Sequence, residues 1–301
     1  MDAIRIVGTG AVFIDDIVLP DGQTHMGTLG GGTVHALLGA ALWDERPGLS
    51  AFVGADLPPD VRPFLAQHLN LDGLIALPTP QARAWQIFEH DGTRRELHRV
   101  ESAHMTPFIS GTNPDHLPAH YRRADGYFLL LGFDDPAVWG DLPGLKLWEP
   151  NQLAMLSGGR DDVCRVLSIL SPDVVSPNLS EARMIYGERS PHELLDCLLA
   201  DGARAVALRM GRDGSLVVAC GGTPVHVPAF HVEAVRDETG AGNTYNGAFL
   251  AGMVAGRPLT ECAVMGTVAA SFCVEQVGVI DPAQISHAER SARYRRLMLS
   301  L

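Results

Sequence analysis

Residues 239–243 read Thr-Gly-Ala-Gly-Asn and lead into a stretch of small residues, TYNGAFLAG. Gly240 and Gly242 let the backbone turn sharply and approach a ligand with no Cβ in the way. A helix starting there supplies free N–H groups and the positive end of its macrodipole, so the pattern predicts an anion site suited to phosphate. A carboxylate just after such a turn would take the proton from an attacking hydroxyl. Here that position holds an amide, Asn243. An amide oxygen accepts a hydrogen bond and orients a hydroxyl, but it does not take its proton at neutral pH.

Other candidate motifs carry less. VGTGAVF (7–13) has Phe13 where a dinucleotide fingerprint has its third glycine, and IDDIVLP rather than a helix follows. HVPAFH (226–231) places two histidines in an extended segment, with no cysteine or carboxylate at ligand spacing. That favours ordinary surface or core histidines over a metal site. RYRRL (293–297) reads as a solvated helix face. Glu149, within LWEPN (147–151), is either polar lining of a cleft or a turn residue before Pro150.

These residues need a scaffold, and the chain alternates strand-like and helix-like segments. Short apolar runs at 4–8, 49–54, 73–77, 127–132, 173–177, 205–211 and 215–220 read as buried strands. Helices are expected at 36–43, 61–69, 151–170, 180–186, 191–201, 242–255 and 260–276. The alternation implies an α/β fold, with a central, mainly parallel sheet covered on both faces. Two stretches break the pattern. Residues 10–26 read as an extended pair around Pro-Asp-Gly, and residues 83–101 as two strands joined by His-Asp-Gly, a hairpin signal. Together they predict a small β lid, with segments near 10–30 and 80–108, on one domain spanning 1–301.

The chain has 301 residues, of which 46% are hydrophobic and 19% charged, enough for a substantial core. The net charge is −12, which argues against binding long nucleic acid but not against a single nucleotide. Five cysteines form no CxxC pair, so reduced, mostly buried thiols in a cytoplasmic protein are expected. No apolar run reaches the length of a membrane span. An exposed lid edge would invite a second copy, so a homodimer is expected.

DETGAGNTYNGAFLAG (237–252) resembles the C-terminal signature of the ribokinase (PfkB) family of carbohydrate and nucleoside kinases. Asp237, Gly240, Ala241 and Gly242 match it, and Asn246 and Gly247 fit its continuation. Glu238 stands where Thr is common, and Asn243 where the family's catalytic Asp belongs. Gly30, Gly31 and Gly32 resemble the family's N-terminal di-glycine signature, with His35 in place of its Asn. Asp15 sits where the family has a sugar-binding Asp, with Asp16 beside it. Asn178 and Glu181 form an N-x-x-E match. ALRMGRDGSLV (207–217), with Arg209, Gly211 and Gly214, looks like the nucleotide-side strand and turn. GGGT without Asn, LWEPN, and GAGN for GAGD are similar to a divergent branch related to the fungal maintenance-of-killer proteins.

The resemblance implies a ribokinase-like three-layer fold and ATP- and Mg²⁺-dependent phosphorylation of a sugar or nucleoside hydroxyl. By it, Asp15, Asp16, Gly31, Gly32 and His35 bind substrate, and Gly240, Ala241 and Gly242 form the anion hole. Asn178, Glu181, Arg209, Gly211 and Gly214 serve the nucleotide, with Glu181 reaching Mg²⁺ through water. Asn243 leaves three routes open. Asp237, Glu238 or His35 supplies the base; the acceptor or reaction needs none; or the protein binds nucleotide and metabolite without turnover. An oxidoreductase using a dinucleotide is a distant alternative.

Overall fold

The computed structural model describes residues 3–43, 46–90, 94–131, 135–150 and 152–301. In chain order the elements begin with β1 (Ile6–Ala11), β2 (Phe13–Val18), β3 (Thr24–Gly30), α1 (Gly32–Ala41), β4 (Gly48–Val53), α2 (Val61–His68) and β5 (Asn70–Ala76). There follow β6 (Arg83–Phe88), β7 (Arg94–His98), α3 (Ser102–Ser110), β8 (Gly126–Leu131), α4 (Ala137–Gly140), β9 (Leu145–Pro150), α5 (Gln152–Leu170) and β10 (Val174–Val175). The C-terminal part adds α6 (Leu179–Tyr186), α7 (Pro191–Ala200), β11 (Ala205–Arg209), β12 (Ser215–Ala219), β13 (Val225–Val227), α8 (Ala241–Val254), α9 (Leu259–Cys273) and α10 (His287–Met298).

The main sheet has nine strands in the order β13-β12-β11-β10-β9-β8-β1-β4-β5. It is parallel from β11 to β5, and β12 and β13 extend it antiparallel. Strand side chains alternate between faces. Ile6, Phe128, Leu147, Val174, Ala205 and Ala207 pack with α1, α8 and α9 on one face. Their neighbours Val7, Tyr127, Leu129, Trp148, Val175, Val206 and Leu208 pack with α5, α6 and α7 on the other. Apolar residues on both faces explain the unbroken hydrophobic runs of these strands.

The small sheet runs β3-β2-β6-β7. Its two hairpins, β2/β3 and β6/β7, are antiparallel, and β2 and β6 join them in parallel. These are the lid stretches expected from the sequence; the Asp91–Gly92 turn lies outside the described residues, as does Asn151 of LWEPN. Four elements went unforeseen, one of them the four-residue α4. β9 hides in a run that ends in proline, α3 carries Pro107 in its interior, and β13 is only three residues long. The thiols are also less buried than expected: Cys262 and Cys273 are buried, Cys164 and Cys197 half-buried, and Cys220 exposed, all free.

Helices α1 and α8 run side by side in the same direction. An added Cβ on Gly247 would lie 1.6 Å from the Ala36 carbonyl, and one on Gly39 would lie 2.2 Å from the Thr244 carbonyl. These glycines therefore bring the two backbones into contact, and the two N-termini open at the same place.

Candidate active site

Three features of the fold converge at Asn243. The first is the start of α8. Its N-cap, Gly240, is left-handed (φ 73°), and no side chain caps the helix. Ala241 N donates to the Glu238 carbonyl (3.3 Å), and the next amides of the first turn, those of Gly242 and Asn243, are left open to a ligand. The second is the start of α1, N-capped by Gly31 (φ 101°), also without a side-chain cap. A Cβ on Gly32 would lie 3.0 Å from Asn243 Nδ2, and one on Gly31 would strike the Ala11 carbonyl at 2.4 Å. Gly31 and Gly32 thus fit the chain between the lid and α8.

The third feature is strand alternation. Leu147 faces α8 and Trp148 faces away, so Glu149 faces α8 again at the carboxyl end of β9. By the same parity Ala207 and Arg209 of β11, and Ser176 just after β10, share that face. The result is one buried polar network. Glu149 Oε2 accepts from Asn243 Nδ2 (2.9 Å) and Asn246 Nδ2 (2.7 Å). Glu149 Oε1 accepts from Arg209 Nη2 (3.0 Å), which also donates to the Ser176 carbonyl (2.8 Å). Ser176 Oγ donates to Asn246 Oδ1 (2.6 Å). Arg209 Nη2 lies 3.5 Å from Glu181 Oε2 as well. The guanidinium rests on the glycine turn, where a Cβ on Gly242 would overlap Arg209 Nη1 at 2.0 Å. Arg209 Nε has no partner among the described residues. This places a fixed cation beside an open helix N-terminus, a combination suited to phosphate.

Asn178 and Glu181 form a reciprocal capping box at the start of α6: Glu181 N donates to Asn178 Oδ1 (2.8 Å), and Asn178 N donates to Glu181 Oε2 (2.7 Å). Burial pushes the Glu181 carboxyl up to about 7, opposed by Arg209 and reinforced by Glu149. Gly211 (φ 60°) and Gly214 (φ 85°) shape the turn between β11 and β12.

On the other side of Gly30–Gly32 stands Asp15. A Cβ on Gly30 would lie 1.9 Å from Asp15 Oδ2, and Gln86 Nε2 donates to Asp15 Oδ1 (3.2 Å). Burial raises the Asp15 pKa to about 7, and the Gln86 hydrogen bond opposes the shift. Gln86 Oε1 is buried without a partner among the described residues.

Several expected site residues stand elsewhere. Asp16, on the opposite face of β2, accepts from Gly27 N (2.8 Å) and pairs with Arg99. Period-two alternation separates it from its neighbour Asp15. His35 is 2% exposed and lies behind the turn, where a Cβ on Gly240 would overlap its ring at 2.2 Å. It supports the turn from within instead of meeting a substrate. Burial lowers its pKa to about 4, with Asp237 opposing the shift, so the ring is neutral at pH 7. Its Nδ1 lies 3.9 Å from Cys273 Sγ. Asp237 is buried and accepts from Thr239 N (2.9 Å) and Gly278 N (3.2 Å), holding the turn together. Glu238 is exposed. Of the two readings of Glu149, the structure shows polar lining of the cleft; its partners Arg209, Asn243 and Asn246 could not be read from the residues beside it. No cluster of three metal-binding side chains exists among the described residues. A cavity of about 470 Å³ lined by Lys146, Asp173 and Arg204 lies at the opposite, amino ends of the strands.

Known proteins share the fold and part of the sequence. Residues 149–286 match the pfkB family of carbohydrate kinases. The described fold resembles the nucleoside kinase of Burkholderia thailandensis in complex with inosine, with TM-score 0.79 and 16% identity over 97% of each chain. It also resembles the ribokinase of Arabidopsis thaliana complexed with ribose and ATP, with TM-score 0.75 and 19% identity over 98% of this chain and 99% of that one. The protein thus has the ribokinase-like fold, and its residues 149–286 are similar to the pfkB carbohydrate kinases. Within that class it is similar over most of its length to cytidine kinase of Thermococcus kodakarensis, at 27% identity over 87% of this chain and 93% of the relative. It is likewise similar to protein MAK32 of Saccharomyces cerevisiae, at 28% identity over 91% and 85%.

Proposed function

We propose that the protein transfers the γ-phosphoryl group of ATP to a hydroxyl of a sugar or nucleoside, with Asn243 where related kinases have an acid. The observation that carries this reading is the convergence of two uncapped helix N-termini and the Arg209 guanidinium on Asn243, with Asp15 across Gly30–Gly32. One end suits phosphate and the other suits a hydroxyl. The relatives in the pfkB family and the cytidine kinase support kinase chemistry in general.

The residues present fit a nucleotide phosphate. A Cβ at Gly242 would take the space beside the Arg209 guanidinium, whose Nε is unpartnered among the described residues. For Mg²⁺ the protein donors are sparse. Glu181 already caps α6 and faces Arg209, so the ion would be held mainly by phosphate oxygens and water, as is usual for Mg²⁺. When bound, Mg·ATP supplies the phosphoryl group: the acceptor oxygen bonds to phosphorus, ADP leaves with the electron pair of the bridging oxygen, and the hydroxyl proton passes to water.

The chain's own residues bind and orient. Asp15 and Gln86 hold acceptor hydroxyls. The amides after Gly240 and the Arg209 guanidinium hold phosphoryl charge. Asn243 Oδ1 accepts from the attacking hydroxyl. A positioned base contributes about 10²–10⁴-fold. In a loose phosphoryl transfer, positioning and charge carry most of the rest, so a kinase without that base is slower and still functional. The protein acts in the cytoplasm as a homodimer in this reading. The test is ADP release from Mg·ATP over a panel of sugars and nucleosides. Acceptor-dependent release is expected; no release with any acceptor overturns the kinase reading, and a monomeric sedimentation profile overturns the dimer.

A further inference from the structure

The geometry points to Glu149 as the positioning residue that fixes the orientation of Asn243 and makes an aspartate at that position unworkable. The inference rests on the kinase reading for its catalytic consequence, but its structural half stands alone. Glu149 accepts three hydrogen bonds, from Asn243, Asn246 and Arg209. A carboxylate has about four acceptor positions and no donor, so these three already occupy most of its acceptor capacity. Only the amide NH₂ of Asn243 can face it. The Asn243 carbonyl oxygen is therefore the atom left for a ligand, and it has no partner among the described residues. The amide is locked as an acceptor toward the acceptor hydroxyl.

The three base candidates read from the sequence are placed otherwise. Asp237 holds Thr239 N and Gly278 N, Glu238 is exposed, and His35 is sealed behind Gly240. Glu149 of β9 places a carboxyl oxygen 2.9 Å from Asn243 Nδ2. The charged groups facing Asn243 from the elements around it are Glu149 of β9 and, through it, Arg209 of β11; Glu181 of α6 pairs with Arg209 from the far side. α1 presents only Gly32. Replacing Asn243 by an acid would bring two carboxylates to hydrogen-bond distance, and both cannot ionise there.

Four proteins test this: wild type, Asn243→Asp, Glu149→Gln and the double variant Glu149→Gln/Asn243→Asp, which exchanges amide and acid. The first readout needs no ligand: the urea unfolding midpoint from pH 5 to 9. In Asn243→Asp, one carboxyl of the pair has its folded-state pKa raised above the unfolded value. The variant should therefore match wild type best at the acid end and fall behind as pH rises. The double variant should follow the wild-type profile. The second readout is kcat. It should fall about a hundredfold in each single variant, the scale expected from misplacing a positioning group, and recover to within about tenfold in the double. An Asn243→Asp variant with the wild-type pH profile, or one faster than wild type, overturns the inference. If Glu149→Gln does not fold, the comparison of Asn243→Asp with wild type still decides. If wild type turns over no acceptor, the kinase reading fails and the unfolding profiles alone judge the pairing.

Discussion

Asp15 and Glu149 are both buried carboxylates, on either side of Gly30–Gly32, and the protein keeps them in opposite ways. Asp15 receives one side-chain hydrogen bond, from Gln86, and burial lifts its pKa to about 7. Its neighbour Gln86 Oε1 has no partner among the described residues. Glu149 receives three hydrogen bonds, one from a guanidinium. The lid end is left short of donors that a hydroxyl-bearing ligand would bring. At the anion end both oxygens of the Glu149 carboxyl are engaged before any ligand arrives. An incomplete site adapts to its occupant, whereas a complete one fixes geometry in advance.

The contrast breaks most visibly at Arg209. Arg209→Met leaves Glu149 and Glu181 buried without their shared cation, and breaking a buried pair costs about 3–5 kcal/mol. Urea unfolding at pH 7 should show that loss, and a loss below about 1 kcal/mol would mean the network is not prewired. Asp15 should behave oppositely. Its folded pKa is raised, so its stabilising effect is complete near pH 4 and disappears as pH rises through about 7. Asp15→Asn should equal wild type at the acid end and exceed it by up to about 4 kcal/mol at pH 8, three pKa units at about 1.4 each. Urea midpoints across that range give the answer; a flat difference would remove the contrast.

Smaller effects sharpen it. Gly247→Ala drives a methyl against the Ala36 carbonyl and should cost about 1–3 kcal/mol through overpacking. Because both helix starts shift together, ATP affinity, measured by calorimetry, should weaken as well. Asn178→Ala removes a helix cap and should lower stability by about 1 kcal/mol. If ATP affinity then holds, Asn178 and Glu181 serve the helix; if it drops, they serve the nucleotide too.

Much of this was legible in the chain. The Gly-Ala-Gly turn, the lid hairpins and the parallel strands each have a local signal in glycine placement or apolar periodicity. What lay hidden depended on distance or parity. Glu149 and Asn243 are 94 residues apart, and nothing local to either one names the other. Asp15 and Asp16 differ only in which face of β2 each occupies, which the pairing with β6 decides. His35 looked like a substrate contact because it follows the glycines, but its position on α1 turns it toward Gly240.

The glycine contact between α1 and α8 has a further consequence, for tolerated insertions. Gly32 meets Asn243, and four residues further along each helix Ala36 meets Gly247. The two helices act as matched rulers, read from a common mark. One residue added between Gly32 and Ala36, or between Asn243 and Gly247, would rotate that helix start by about 100° and advance it about 1.5 Å. Length changes in this lineage should therefore collect in the loops before Gly31 and Gly240, and never between the marks.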